Sequence, residues 1–181
     1  MEPIVETSEF LADDAATLAF ATRFADLLQA PCSVALMGDL GAGKTTFVRG
    51  VLRALGVTGA IKSPTYALVE SYETTKGEAH HLDAYRMESI ADFEARGGFE
   101  YFDAPSIRFV EWPERLRGAV SFDVELKFDF EGDGRRATVA YSPLLGGKGL
   151  GVREAALHQM IAPRPQTLTP TLSPGERGPN P

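Results

Sequence analysis

A chain of 181 residues, 44% apolar and 24% charged, has the make-up of one soluble globular domain, or of one domain with a tail. Its net charge of −7 argues against a protein that grips DNA or RNA unaided, because that task needs a basic face. The one cysteine, Cys32, excludes an internal disulfide and a cysteine-rich metal centre, and no apolar run approaches the length of a membrane span.

In chain order, the stretch 13–29 places Leu18, Ala21, Ala25 and Leu28 on one helical face, with Phe20, Phe24 and Leu27 beside it. Asp13 and Asp14 suit its first turn and Pro31 stops it. CSVALM, 32–37, reads as a buried strand. A glycine-rich loop follows, and then Phe47, Val48, Val51, Leu52 and Leu55 recur at helical spacing up to a stop at Gly56. TYALVESYE (65–73) and EAHHLDAYR (78–86) read as two strands joined by a Thr-Thr-Lys-Gly turn. SIADFEARGGFEYF (89–102) reads as a short helix broken at Gly97-Gly98, and SIRFVEW (106–112) as a buried strand ended by Pro113. In DVELKFDF (123–130), Val124, Leu126, Phe128 and Phe130 alternate with charged residues, and RRATVAY (135–141) returns as the second arm of a hairpin. The stretch 162–181 is rich in proline and poor in large apolar residues, so a disordered tail is expected there, after a domain spanning 1–161.

The loop between the first strand and the second helix carries the chemistry. Gly38-x4-Gly43-Lys44-Thr45 matches the Walker A pattern, in the strand-loop-helix setting that pattern requires. Gly38, Gly41 and Gly43 permit positive φ and close backbone approach, so successive N–H groups can face a phosphate. The following helix adds the positive end of its dipole. Lys44 can reach β- and γ-phosphates, the Thr45 hydroxyl can ligate Mg²⁺, and Thr46 can contact the α-phosphate. The fold expected is therefore α/β: a P-loop NTPase-like mixed sheet flanked by helices, with a C-terminal antiparallel hairpin. Asp39 would repel phosphate, so with the apolar Leu40 it is expected to form an outward tip that shapes the loop or touches a partner.

A Mg-nucleotide site also needs an acid at the end of a neighbouring strand. Glu111 ends the apolar IRFV strand and is the expected metal acid; Asp83 ends AHHL and is expected to orient water or metal. His81 shares a strand face with Asp83. As a His-x-Asp metal fragment the pair lacks a third ligand, which leaves His81 to orient the carboxylate or simply to pack. In Ser63-Pro64-Thr65-Tyr66, the Thr65 hydroxyl either senses a γ-phosphate or merely begins a strand. Trp112 either packs in the core, lies under the nucleotide or faces a partner.

Taken together, GDLGAGKTTFVRG, KSPTYALVESY, HHLDAYR and FVEWPERL resemble the TsaE family in order and spacing, over residues 5–142. The resemblance implies an ATPase needed to make threonylcarbamoyladenosine, a modified base beside the anticodon of tRNA; with no signal-peptide pattern and no membrane-length apolar run in the sequence, the cytoplasm is its expected home. It implies two protein partners, the TsaD transferase and its companion TsaB, whose complex the ATPase binds and resets. Transfer RNA would be reached only through that complex, with no membrane and no direct DNA binding. Residue by residue, the resemblance assigns Gly41, Ala42, Gly43, Lys44, Thr45 and Thr46 to the phosphates of ATP, and Thr45 and Glu111 to Mg²⁺. It gives Asp83 and Trp112 positions important for activity. It sets Asp14 and Thr17 at the adenine and closes Arg135 over the nucleotide, with Arg136 as a neighbouring candidate.

Two other readings stand beside an ATPase. A small P-loop kinase needs an arginine-bearing lid, yet the segment 88–102 is acidic and offers only Arg96. A nucleotide-dependent scaffold without turnover would not need Thr45, Asp83 and Glu111 together. No Asn-Lys-x-Asp signature of a GTPase is present.

Overall fold

The computed structural model describes residues 5–64 and 66–141, so Thr65, the expected domain end at 161 and the expected tail lie outside the described residues. The elements run β1 (Val5–Leu11), α1 (Asp14–Leu27), β2 (Cys32–Met37), α2 (Lys44–Ala54), β3 (Val69–Thr74), β4 (Gly77–Asp83), α3 (Ile90–Ala95), α4 (Glu100–Asp103), β5 (Ile107–Glu111), β6 (Val124–Glu131) and β7 (Gly134–Tyr141). One seven-stranded sheet has the order β1-β7-β6-β2-β5-β4-β3. Its middle, β6-β2-β5-β4, is parallel, and antiparallel pairs close both sides. The fold is the expected mixed α/β sheet flanked by helices, with β6 and β7 as the C-terminal hairpin.

The apolar pattern explains which face each element covers. Helix α1 begins at Asp13, whose side chain accepts from the Ala16 N–H at 2.7 Å, satisfying one orphan donor of the first turn. Its buried Phe20 and Phe24 meet Phe47 of α2 at centroid distances of 5.7 and 5.3 Å, and Phe47 reaches Phe128 of β6 at 5.6 Å. These rings join Val34, Leu36, Phe109, Leu126 and Val139 in the main core. The alternate residues of the sheet, Leu82 and Val110, point to the other face and pack with Leu68, Met87, Phe93 and Leu116. Central strand β2 is buried almost throughout, as a continuous apolar run in a parallel sheet should be.

Three departures from the expected elements are local. The strand expected from residue 65 starts only at Val69, because the Ala67 and Leu68 N–H groups both donate to the Pro64 carbonyl and Leu68 adopts φ +67°. Phe130, which continues the alternation of Phe128, is 60% exposed, in the last three residues of β6, all of which are exposed. Strand β1 has no counterpart among the expected elements. Its VETSEFL sequence is half-polar, and its place is set by pairing with β7, from Val5 opposite Tyr141 to Leu11 opposite Arg135.

Candidate functional site

The glycine-rich loop leaves the C-terminal end of β2, beside the ends of β5 and β4. Ligands bind to open parallel sheets at this edge. Gly38, Gly41 and Gly43 take φ of +131°, +81° and +107°, values that side-chain-bearing residues rarely adopt. Space enforces the choice as well: a Cβ on Gly38 would lie 2.4 Å from the Phe128 carbonyl oxygen, and one on Gly43 would meet the Arg135 guanidinium. Ala42 is buried between them, while Asp39 and Leu40 face outward, Leu40 with 82% exposure. Leu40 nonetheless borders the cavity beside the loop.

Lys44 opens α2 and is buried. Its ammonium donates to the carbonyls of Gly38 and Asp39, at 2.5 and 2.9 Å, and sits 4.2 Å over the Trp112 ring. Burial draws it below the usual lysine range, against the opposing pull of Glu111, Asp83, Glu114 and Asp39. Trp112 holds a left-handed backbone, φ +59°, uncommon for a bulky residue, and meets the Tyr85 ring at 5.0 Å, tilted by 50°. It both lines the cavity and packs against the second apolar cluster of the core.

Glu111 and Asp83 are register partners at the ends of β5 and β4, so the two acids stand side by side. Glu111 Oε1 accepts from the Thr45 hydroxyl at 2.7 Å and bonds His81 Nε2 at 2.8 Å. Burial alone would raise the Glu111 carboxyl; His81, Thr45 and Lys44 together outweigh it and hold the group below the usual carboxylate range. The buried Asp83 accepts from the Tyr85 N–H at 3.0 Å. A cavity of about 240 Å³ is lined by Gly41, Gly43, Lys44, Thr45, Thr46, Asp83, Glu111 and Trp112, together with Leu40, Ser63, Tyr85 and Arg86.

Two further expected residues meet on the far side of the loop. Arg135 of β7 reaches the Ala42 carbonyl at 3.4 Å and pairs with Asp14 of α1 at 3.2 Å. Arg136 turns the other way and pairs with Glu131 on the surface. Thr17 is fully buried, its hydroxyl donating to the Asp13 carbonyl, while the neighbouring Asp14 is exposed.

One partnership differs from expectation. The carboxylate that His81 holds is that of Glu111, not its strand neighbour Asp83. Residues two apart on one strand share a face without touching, whereas His81 reaches diagonally across to the adjacent strand. Tyr85 and Arg86 line the cavity without an expectation behind them, and their place two and three residues after Asp83 is the signal that points to them; Ser63 belongs to the segment already considered as a phosphate sensor. Among the described residues, no group of three His, Cys, Asp or Glu side chains is placed to hold a metal ion.

The model of the family described as threonylcarbamoyl adenosine biosynthesis protein TsaE matches residues 11–138, a span holding the loop, both acids and Arg135. The chain belongs to the TsaE family. Among its relatives is the tRNA threonylcarbamoyladenosine biosynthesis protein TsaE of Haemophilus influenzae, 35% identical over 145 residues, which cover 77% of this chain and 92% of that protein. The protein of the same name from Aquifex aeolicus is 37% identical over 127 residues, covering 69% and 88%. The crystal structure of YdiB from Bacillus subtilis superposes with a TM-score of 0.62 at 23% identity, over 88% of this chain and 95% of that one, and shows the same fold. TsaE is a family of tRNA threonylcarbamoyladenosine biosynthesis. Among the described residues of this TsaE chain, no helix is long and apolar enough to cross a membrane.

Proposed function

We propose that this TsaE chain is a Mg²⁺-dependent ATPase serving the threonylcarbamoyladenosine modification of tRNA, and that it acts in the cytoplasm by binding and resetting a TsaB–TsaD partner complex. The observation that carries the reading is the contact between Thr45 at the start of α2 and Glu111 at the end of β5, with Lys44 and Asp83 alongside. The donors present fit Mg²⁺, a hard cation that takes oxygen ligands: a hydroxyl and a carboxylate, with the one nearby imidazole nitrogen already bonded to that carboxylate. Thr45 and Glu111 would hold the ion, which when bound neutralises charge between the β- and γ-phosphates.

The chain's own groups supply the rest. Backbone N–H groups from Gly41 to Thr46, at a helix N-terminus, hold the phosphates of ATP. Lys44 leaves the loop carbonyls for the β- and γ-phosphates and stabilises the charge that grows on the transferring group. Asp83, whose side chain among the described residues bonds only the Tyr85 backbone N–H, places the attacking water. Arg135 and Asp14 together edge the loop on the nucleoside side. Transfer RNA is met through the partners, consistent with the chain's net charge of −7.

ATP consumption measured alongside phosphate release and a panel of phosphoryl acceptors tests the reaction class. Hydrolysis predicts one phosphate released per ATP consumed; phosphorylated acceptor would mark a kinase, and no consumption even with partners would mark a scaffold.

A further inference from the structure

The two acids of the site are supported differently. Asp83 is anchored to its own loop, but Glu111 is a longer side chain with more rotatable bonds, and one hydroxyl hydrogen bond does not fix where its second oxygen points. His81 supplies the second fixed point. It is fully buried, and its Nε2 meets the same Glu111 Oε1 that accepts from Thr45. The register explains how: Asp83 lies opposite Glu111 and His81 opposite Phe109, so His81 is the diagonal neighbour of Glu111 on the same face. The adjacent His80 points to the other face and bonds Ser71 instead.

A carboxylate only accepts, so His81 presents its proton at Nε2. Its other nitrogen, Nδ1, is buried with no hydrogen-bond partner among the described residues. A residue kept for packing alone would be apolar at such a position, because an unpartnered buried nitrogen is destabilising. The bond to Glu111 is what offsets that cost. Oε2 of Glu111 has no hydrogen bond among the described residues.

We propose that His81 is a positioning residue for the metal acid: by pinning Oε1 of Glu111 together with Thr45, it leaves Oε2 as the oxygen offered to a divalent cation. The inference rests on the Mg²⁺ site proposed above. An outer-shell partner of this kind typically governs metal affinity by about 10- to 100-fold.

The test is calorimetric binding of a non-hydrolysable ATP analogue with and without Mg²⁺, for the wild-type chain, His81→Phe and His81→Gln. Phenylalanine keeps the volume and removes the donor; glutamine restores an N–H near Nε2. In His81→Phe the Mg²⁺-dependent gain in affinity should fall about 10- to 100-fold, with Mg²⁺-free binding unchanged within about threefold, and His81→Gln should recover most of it. Equal loss with and without Mg²⁺, or full Mg²⁺ dependence in His81→Phe, would overturn the proposal. If His81→Phe fails to fold by circular dichroism, His81→Asn, whose amide is too short to reach Glu111, takes its place with the same two outcomes. A wild-type chain that binds the analogue equally with and without Mg²⁺ would overturn the metal site itself; wild-type Mg²⁺ dependence kept in the donorless variant would overturn only the role of His81.

Discussion

Lys44, Thr45, Asp83 and Glu111 come from three separate stretches of chain and share one cavity, and each has a different physical task. Lys44 offers a cation that is already desolvated, so its bonds to phosphate are charge-assisted. Replacing it with alanine should weaken ATP binding by about ten- to a hundredfold, equal to the loss of about 1.5–3 kcal/mol, as read by calorimetry. Glu111→Gln keeps the shape and removes the charge proposed to face Mg²⁺. Mg²⁺-free nucleotide binding should persist while turnover falls by about a hundredfold or more, and unchanged turnover would remove Glu111 from the metal site. Cys32 makes an independent point about the core. Burial, followed by the charge of Asp123, pushes its thiol up to about 12. It stays protonated and sheltered near neutral pH, so a disulfide reagent should label it only as the chain unfolds, at a rate that follows denaturant concentration. Rapid labelling of the native chain would contradict the buried placement.

At the scale of elements, two contacts decide how the helical layer sits on the sheet. In Gly50 of α2, an added Cβ would lie 2.7 Å from the Ala21 Cβ and 3.1 Å from a Leu18 methyl, so α1 and α2 are in contact at backbone distance. Gly50→Val forces them apart and should cost about 1–3 kcal/mol in urea unfolding, despite valine's better helix propensity. Lys76, in the β3–β4 turn, donates to the carbonyls of Ala25, Asp26 and Leu28 at 2.8, 2.9 and 2.8 Å, capping the C-terminal end of α1 from a distant turn. Lys76→Met keeps the stem and loses the cap; the urea midpoint should fall by the equivalent of about 1–2 kcal/mol with an unchanged slope. Such contacts mark the limit of what a sequence reveals. The period of the apolar residues foretold α1, α2, β2 and β5, because burial in a layered fold writes that pattern directly. Strand β1 was hidden because an edge strand with one half-polar face takes its structure from the partner it pairs with. The exposed Phe130 keeps the alternation of its strand but lies among its last three residues, all of which are exposed.

For the whole molecule, the parallel centre of the sheet matters most. It brings the ends of β2, β4 and β5 to one edge, which collects residues as distant in sequence as Thr45 and Glu111. The loop and both acids were legible beforehand, since glycine spacing and strand-end acids are local signals, whereas Arg135 was suggested only by the family resemblance. Which carboxylate His81 would hold, and that Trp112 would lie over Lys44, were not legible. Both depend on strand register and on a left-handed backbone at residue 112, which no local pattern encodes. Leu40, Tyr85 and Arg86 stand among the residues that line the cavity beside the glycine-rich loop. The proposed reading is a slow hydrolysis that a partner completes. The most direct measurement is therefore ATP turnover by the chain alone and with the TsaB–TsaD pair, in wild type and in Glu111→Gln. The account predicts slow turnover alone, a rise of about tenfold or more with the pair, which is a barrier lowered by at least about 1.4 kcal/mol, and loss of both in Glu111→Gln. Turnover indifferent to the pair, or surviving in Glu111→Gln, would contradict it.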